Sequence, residues 1–503
     1  MAVLADLEIP TIRSRRPVPS WAVLVIACMA QFMVVLDISI VNVALPAMKH
    51  SLDLSSTAQQ WIVNAYTLTF GGFLLLGGRA ADLFGRKKVF LIGLAVFTLA
   101  SVAGGFAQSG GMLIAARALQ GLGGAILAPA TLSLLTTSYT DPKARTRALT
   151  AWGATAASGG AFGSVLGGVL TQALDWRWVL FVNVPIGIVL LVAAVRSLTE
   201  SRGTLSGLRS LDLPGAVTVT GGLAALVYAI VTTDTHSWGS AHTLVLLGVA
   251  AVLLVTFGFI ESRVEHPLVP LRIFASRSLS GANGIALLLG AVLTAFIFFM
   301  SLYVQQVNGY SPLKAGLAIL PATLGSLVAS LIAGKLVGRV GPRVLLTAGP
   351  IVGAAGLLWM AQLTPGAGYL VHILVPSILV GLGLATCFVP MTMAATGGVP
   401  LRDAGLASGL INTSRQVGAA IGLAALATLA ISRTDHVLAG HAATPSLAAS
   451  ALTSGYDQAF RYGAGVAVAM ALIAALIIPK LAVHRADAAV EAEALEMVAL
   501  EGA

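Results

Sequence analysis

The chain has 503 residues, of which 57% are hydrophobic and only 10% charged, with a mean hydropathy of +0.91. Soluble domains carry about 25% charged residues, so this composition excludes a soluble globular protein and predicts a polytopic all-α membrane protein. The apolar runs are continuous and about 20 residues long, which excludes a β-barrel of alternating strands, and the net charge of +9 reads as basic loops at a membrane face rather than as a nucleic-acid site.

In chain order, hydropathy predicts fourteen spans: 20–45, 57–77, 88–107, 111–135, 147–171, 177–196, 211–232, 242–260, 279–305, 313–334, 344–363, 368–395, 404–431 and 459–480. The first follows Arg13, Arg15 and Arg16 and is too long for a cleavable signal, so it reads as a retained helix. With the N-terminus in the cytoplasm, twenty-two Lys and Arg fall on that side and five on the other, with Arg117 and Arg415 left inside spans. This bias predicts a plasma-membrane protein with both termini cytoplasmic. Cys28 and Cys387 both lie in apolar runs, which offers neither a disulfide framework nor a metal site.

An internal repeat organises the spans. "GRAADLFGRK" from Gly78 and "GKLVGRVGPR" from Gly334 match at Gly, base, Gly and base, and "GLGGAILAPATLSL" from Gly121 echoes "GLGLATCFVPMTMA" from Gly381. The expected division is a cytoplasmic segment 1–19, a six-helix bundle 20–196, two inserted spans 211–260, a second six-helix bundle 279–480 and a cytoplasmic tail 481–503, whose Ala/Glu-rich sequence suits a short surface helix. Repeated six-helix units with a site at their interface are a transporter signature.

The candidate functional residues are the polar groups that this architecture places in the membrane. Asp37, in "MVVLDISIVNVALP", is the only charge between Trp21 and Leu45. It lies about 24 Å along its span at 1.5 Å per residue, and an acid at that depth reads by default as functional. Arg117 in the fourth span reaches a similar depth, with Gln120 one turn on, on the same helix face. The pair reads either as a proton site tuned by a permanent cation or as a static ion pair. Asn42, Tyr66 and Arg415 are candidate substrate-cavity residues; Arg415 has no acid at matching depth in the second half. Gly159, Gly163 and Gly167, with Gly168 beside them, form a small-residue face suited to close helix contact. Between spans two and three, Gly78 and Gly85 are expected to make a tight turn, and Arg79, Asp82, Arg86 and Lys87 a charge network. Asp82 also suits the start of a helix. No catalytic cluster or metal-ligand group is evident, since the eight His are scattered.

Four motifs, in order, resemble the major facilitator superfamily, and within it the fourteen-span drug:proton antiporters. They are "LDISIVNVALP" from Leu36, "GGRAADLFGRKKVF" from Gly77, "RALQGLGGA" from Arg117 and "GGAFGSVLGG" from Gly159, with "DWRWVLFVNVPIG" from Asp175 as a further echo. The family places a proline after the central glycine of its span-five motif, where this chain has Ser164. The resemblance implies two six-helix bundles plus two inserted helices. It also implies proton coupling through Arg117 with Asp37 and Gln120, and gating by the loop from Gly77 to Lys88. The implied activity is proton-driven efflux of a small hydrophobic or cationic drug, as in actinomycete antibiotic-resistance exporters of the puromycin-resistance type, with protons as the coupling ion and no cofactor. A metabolite or monovalent-cation transporter of the same fold is the alternative, and a membrane-embedded enzyme a remote one. The scarcity of intramembrane acids predicts a neutral or monocationic substrate.

Overall fold

A computed structural model describes residues 20–479 apart from 140, 201–210, 235, 266, 401–402 and 442–443. The segment 1–19 and the tail 481–503, with its expected surface helix, lie outside the described residues. The described chain is helical throughout its long elements: α1 (Ser20–Ser51), α2 (Ser56–Phe84), α3 (Arg86–Gly105), α4 (Gly110–Ser138), α5 (Pro142–Ala173), α6 (Trp178–Ser197), α7 (Leu213–Val231), α8 (Ala241–Arg263), α9 (Arg277–Val307), α10 (Pro312–Val340), α11 (Pro342–Met360), α12 (Leu370–Gly397), α13 (Ala404–Leu438) and α14 (Pro445–Ile477). Thirteen are long and apolar enough to cross a membrane. The fourteenth, α5, is as long as α1 but richer in Gly, Ser and Thr.

Local chemistry sets the ends. Ser55, Ser109, Asp141, Ser311 and Thr444 each accept a backbone N–H of the helix they precede. Pro142, Pro312, Pro342 and Pro445 occupy the first turn, where no N–H is needed. Gly85 (φ 98) and Gly341 (φ 79) make the α2–α3 and α10–α11 turns in the left-handed region that glycine tolerates. They stand at matching positions of the two copies of the sequence repeat.

Two expectations are corrected. The last helix begins at Pro445, fourteen residues before the expected span, because "PSLAASALTSGYDQ" is capped and Ala-rich but too polar for a hydropathy reading. The segment from Gly78 to Phe84 is not a loop: α2 runs through it, so the turn is made by Gly85 alone and Asp82 sits in the last turn of α2. Elsewhere, α12 is interrupted at Thr386 and Cys387. This is where Pro390, four residues on, cannot donate to the Thr386 carbonyl; α4 passes through Pro129 unbroken.

In the first half α1 packs on α5, and α4 on α2 and α3; in the second, α13 packs on α9, and α11 on α12 and α14. The halves meet along α5–α10 and α2–α13. Hydrogen bonds from Ser301 Oγ to the Asn42 carbonyl (2.8 Å), from Gln305 Nε2 to the Val43 carbonyl (3.1 Å) and from the Leu313 N–H to Gln172 Oε1 (3.2 Å) join them at the end away from the basic loops. Toward the basic end, α5 around Lys143–Arg147 and α10 around Gly338–Val340 are exposed. The inserted α7 lies along the α2–α13 seam, with Leu223, Val227 and Val231 packed against Leu68, Ala420 and Ala424. Its partner α8 is peripheral, with 11% of its apolar window buried.

Candidate functional site

Near the middle of α1, the Asp37 carboxylate is wholly buried, and the structure brings Arg117 and Gln120 of α4 onto it. Arg117 Nη1 donates to Asp37 Oδ2 at 2.5 Å and to Gln120 Oε1 at 2.7 Å, and its Nε donates to the Ile62 carbonyl of α2 at 3.3 Å. Gln120 Nε2 donates to Asp37 Oδ1 at 3.0 Å and to Ser101 Oγ of α3 at 2.7 Å, and that hydroxyl donates to the Phe97 carbonyl. Two opposite charges in an apolar interior persist only when each is paired and hydrogen-bonded, and here four helices supply the partners.

A fifth helix completes the site. Asn183 Nδ2 donates to Asp37 Oδ1 at 2.8 Å. α6 breaks at Val182 and restarts at Asn183, with Pro185 in the new first turn; the break sets the amide at the start of the second segment. Asn183 went unnoticed in the sequence, although "FVNVPIG" holds its amide inside an apolar run, a weaker form of the signal that marks Asp37. Tyr66, expected on a cavity wall, is instead sealed beneath the guanidinium. Its ring centroid lies 4.4 Å from Arg117 Cζ, and the ring stacks on Phe70. The Tyr66 hydroxyl and Asn183 Oδ1 are buried without a hydrogen-bond partner.

Behind Asp37 runs the glycine face of α5. A Cβ on Gly159 would lie 3.0 Å from the Phe32 carbonyl, on Gly163 2.9 Å from the Leu36 carbonyl and 2.7 Å from Ser39 Cβ, and on Gly167 2.8 Å from the Ile40 carbonyl. Ser39 Oγ donates to the Gly160 carbonyl at 2.7 Å and meets Ser164 Oγ at 3.0 Å. Ser39 and Ser164 therefore tie α5 to α1. Gly168 turns the other way, toward Pro312 and Leu313 of α10, so α5 touches both the Asp37 helix and the opposite half. Gly163→Ala has no flexible neighbour to push aside and is expected to cost about 1–3 kcal/mol as overpacking. Gly153→Ala on the same helix meets nothing within 4 Å and leaves the unfolding midpoint unchanged; equal midpoints for the two variants in detergent would contradict the contact.

A family model for the Major Facilitator Superfamily matches residues 27–423. The chain belongs to that superfamily. Among its relatives, the cephamycin export protein of Amycolatopsis lactamdurans is 45% identical over 463 residues, covering 91% of this chain and 92% of that protein. The puromycin resistance protein of Streptomyces alboniger is 40% identical over 461 residues, 91% of each. Among solved structures, a peptide transporter in complex with sulfate superposes with a TM-score of 0.65 at 15% identity, over 90% of this chain and 93% of that one. A bacterial homologue of the human lysosomal transporter Spinster, inward-facing and unoccupied, gives 0.63 at 17%, over 91% and 96%. At such identities these structures speak for the fold alone. Members of the Major Facilitator Superfamily are transporters rather than enzymes, and this one is a multi-pass membrane protein.

In this major facilitator the remaining expected site residues lie apart from the cluster. Asn42 is buried at the α1–α9 contact, where its Nδ2 donates to the Ile38 carbonyl. At the α2–α3 turn no closed charge network forms. Asp82 meets Arg86 at 3.9 Å in an exposed pair that is worth little. Arg79 donates to the Pro267 carbonyl (3.0 Å), and Lys87 donates to the Val195 and Leu198 carbonyls at the end of α6 (2.8 and 2.5 Å). Lys87 thus serves a helix C-terminus, where unpaired carbonyls and the dipole favour a cation. Arg415 lies in the other half, on α13, bonded to Asn412.

Proposed function

We propose that this protein exports a small hydrophobic antibiotic or drug from the cell in exchange for protons, with Asp37 as the group that carries the proton. The observation that carries the reading is the buried Asp37 cluster, in which three side-chain donors converge on one carboxylate beside a guanidinium that keeps its own proton. The export relatives support drug efflux as the direction and cargo class. The Lys/Arg count supports a cytoplasmic basic end, with the joined end outside.

Each donor now occupies a lone pair of an ionised carboxylate. A proton arriving at Asp37 cancels the charge that holds Arg117 and converts one acceptor oxygen into a donor. Side-chain amides offer both functions, and Asn183 Oδ1, which has no partner, accepts the new O–H once its amide turns. The α1–α4 attachment is thereby weakened. The same helix carries the Asn42 and Val43 carbonyls that bind α9 at the joined end, about 8–9 Å further along at 1.5 Å per residue. Protonation and opening of the joined end therefore act on one rigid element, with α5 wedged between it and the opposite half, and this gives the proton different affinities for the two states.

Inverted membrane vesicles containing the protein and acidified inside test the reading. Adding cephamycin or puromycin to them is expected to release protons in a saturable way that protein-free vesicles do not show. Drug uptake that continues after an uncoupler has dissipated the gradient would sink proton drive.

A further inference from the structure

Arg415 is the intramembrane cation that the Asp37 cluster leaves unused, and its neighbours decide what it faces. Its backbone carbonyl abuts Gly290 of α9, and the next residue, Gln416, abuts Gly71 of α2 across the seam between the halves. Its guanidinium lies over Phe388 of α12, with Cζ 5.5 Å from the ring centroid. The backbone of Arg415 thus sits on α9 and its neighbour Gln416 on α2, while the side chain lies against Phe388 of α12. It is nevertheless only partly buried, and Asn412, one turn before it, is exposed. Arg415 therefore stands, partly exposed, beside the α2–α13 seam between the halves.

Its own bonding is thin. Nη2 donates to Asn412 Oδ1 at 3.2 Å, and a guanidinium has five N–H donors. The ion pairs among the described residues are Asp82–Arg86, Asp37–Arg117 and Asp175–Arg177, so no carboxylate neutralises Arg415 there. Asp37 is committed to Arg117 in a sealed site. A permanent cation held at membrane depth is costly, and the planar fork it presents matches a carboxylate in two parallel hydrogen bonds.

We infer that Arg415 anchors a carboxylate on the exported compound, whose apolar body lies along the Phe388 ring. The inference rests on the export reading and names the substrate class: an amphipathic organic anion. It replaces the expectation of a neutral or monocationic substrate, which counted intramembrane acids and left this cation out.

The test is binding to the purified full-length protein, measured by calorimetry with matched probes: benzylpenicillin, its methyl ester, and puromycin as an amine. The acid is expected to bind about tenfold more tightly than the ester, the size of one charge-assisted hydrogen-bonded contact. Arg415→Gln is expected to remove that difference while leaving ester binding as it was, which also reports that the variant is folded. Arg415→Lys keeps the charge without the fork and retains part of the preference. Ester or amine binding as tight as the acid, no acid binding, or an acid preference that survives in Arg415→Gln overturns the inference. An acid that binds through Arg415 yet releases no protons from inverted vesicles leaves the anion site standing and counts against proton exchange instead.

Discussion

Asp37→Asn is expected to abolish proton-driven export while leaving the fold and substrate binding in place. Asparagine has the shape of aspartate, and the wholly buried site holds it without a void. Its carbonyl oxygen can turn to Arg117, which places its NH2 toward Gln120 and Asn183. Asn183 can rotate to offer its oxygen, since its Oδ1 has no partner, while Gln120 Oε1 stays on Arg117. What asparagine cannot do is bind and release a proton as a carboxylate does. Substrate-induced proton release should therefore fall to the level of protein-free vesicles, while exchange of labelled for unlabelled substrate down a concentration gradient continues. Asp37→Glu should be impaired for a different reason, since an added methylene must fit where the side chain already has no free surface. An Asp37→Asn protein that still concentrates substrate against a gradient would remove Asp37 from the proton path.

How much of this was legible in the chain follows from what each signal depends on. Asp37 and Arg117 stand out because a charge in an apolar run is a local fact, and their common depth follows from helical rise and the alternation of basic loops. The site's other members are set by tertiary packing. Asn183 reaches Asp37 because α6 breaks at Val182, and Tyr66 lies under Arg117 because α2 crosses α4 closely; neither relation has a sequence period. The glycine face of α5 was readable as a contact surface, but not that its partner is the turn of α1 bearing Asp37. Misreadings came from treating polarity as loop. Gly78, Arg79 and Asp82 continue α2, and the Ser- and Thr-rich start of α14 is helical outside the apolar window. Arg415 was visible as a charge, but its meaning depends on Phe388, which only the packing of α12 beside α13 brings next to it.

These placements make α1 and α5 two of the elements that join the halves. α1 holds the ionisable group and, one and a half turns on, the carbonyls that bind α9. α5 backs α1 through Gly159, Gly163 and Gly167 and faces α10 through Gly168. A stripe without side chains lets the two backbones approach closely. The tie between them is a small hydroxyl pair, Ser39 with Ser164, and not the rigid ring a proline would supply.

Arg117→Ala has the largest expected effect on stability, because it leaves a buried carboxylate without its counter-charge. Breaking one partner of a buried ion pair costs about 3–5 kcal/mol, and here the Ile62 carbonyl and the face of Tyr66 lose their partner as well. The unfolding midpoint in detergent should drop sharply. Asp37→Asn combined with Arg117→Ala should then be more stable than Arg117→Ala alone, since no charge remains to be desolvated. The effects of two residues in direct contact are not additive. Arg117→Lys should fall between wild type and alanine, because one ammonium cannot serve Asp37, Gln120 and the Ile62 carbonyl in the plane that the guanidinium spans. If the double variant instead loses stability by the sum of the two single losses, the charges are not energetically coupled. The pair could then not link the protonation of Asp37 to the grip of α1 on α4, and Arg117 would be left as a packing group.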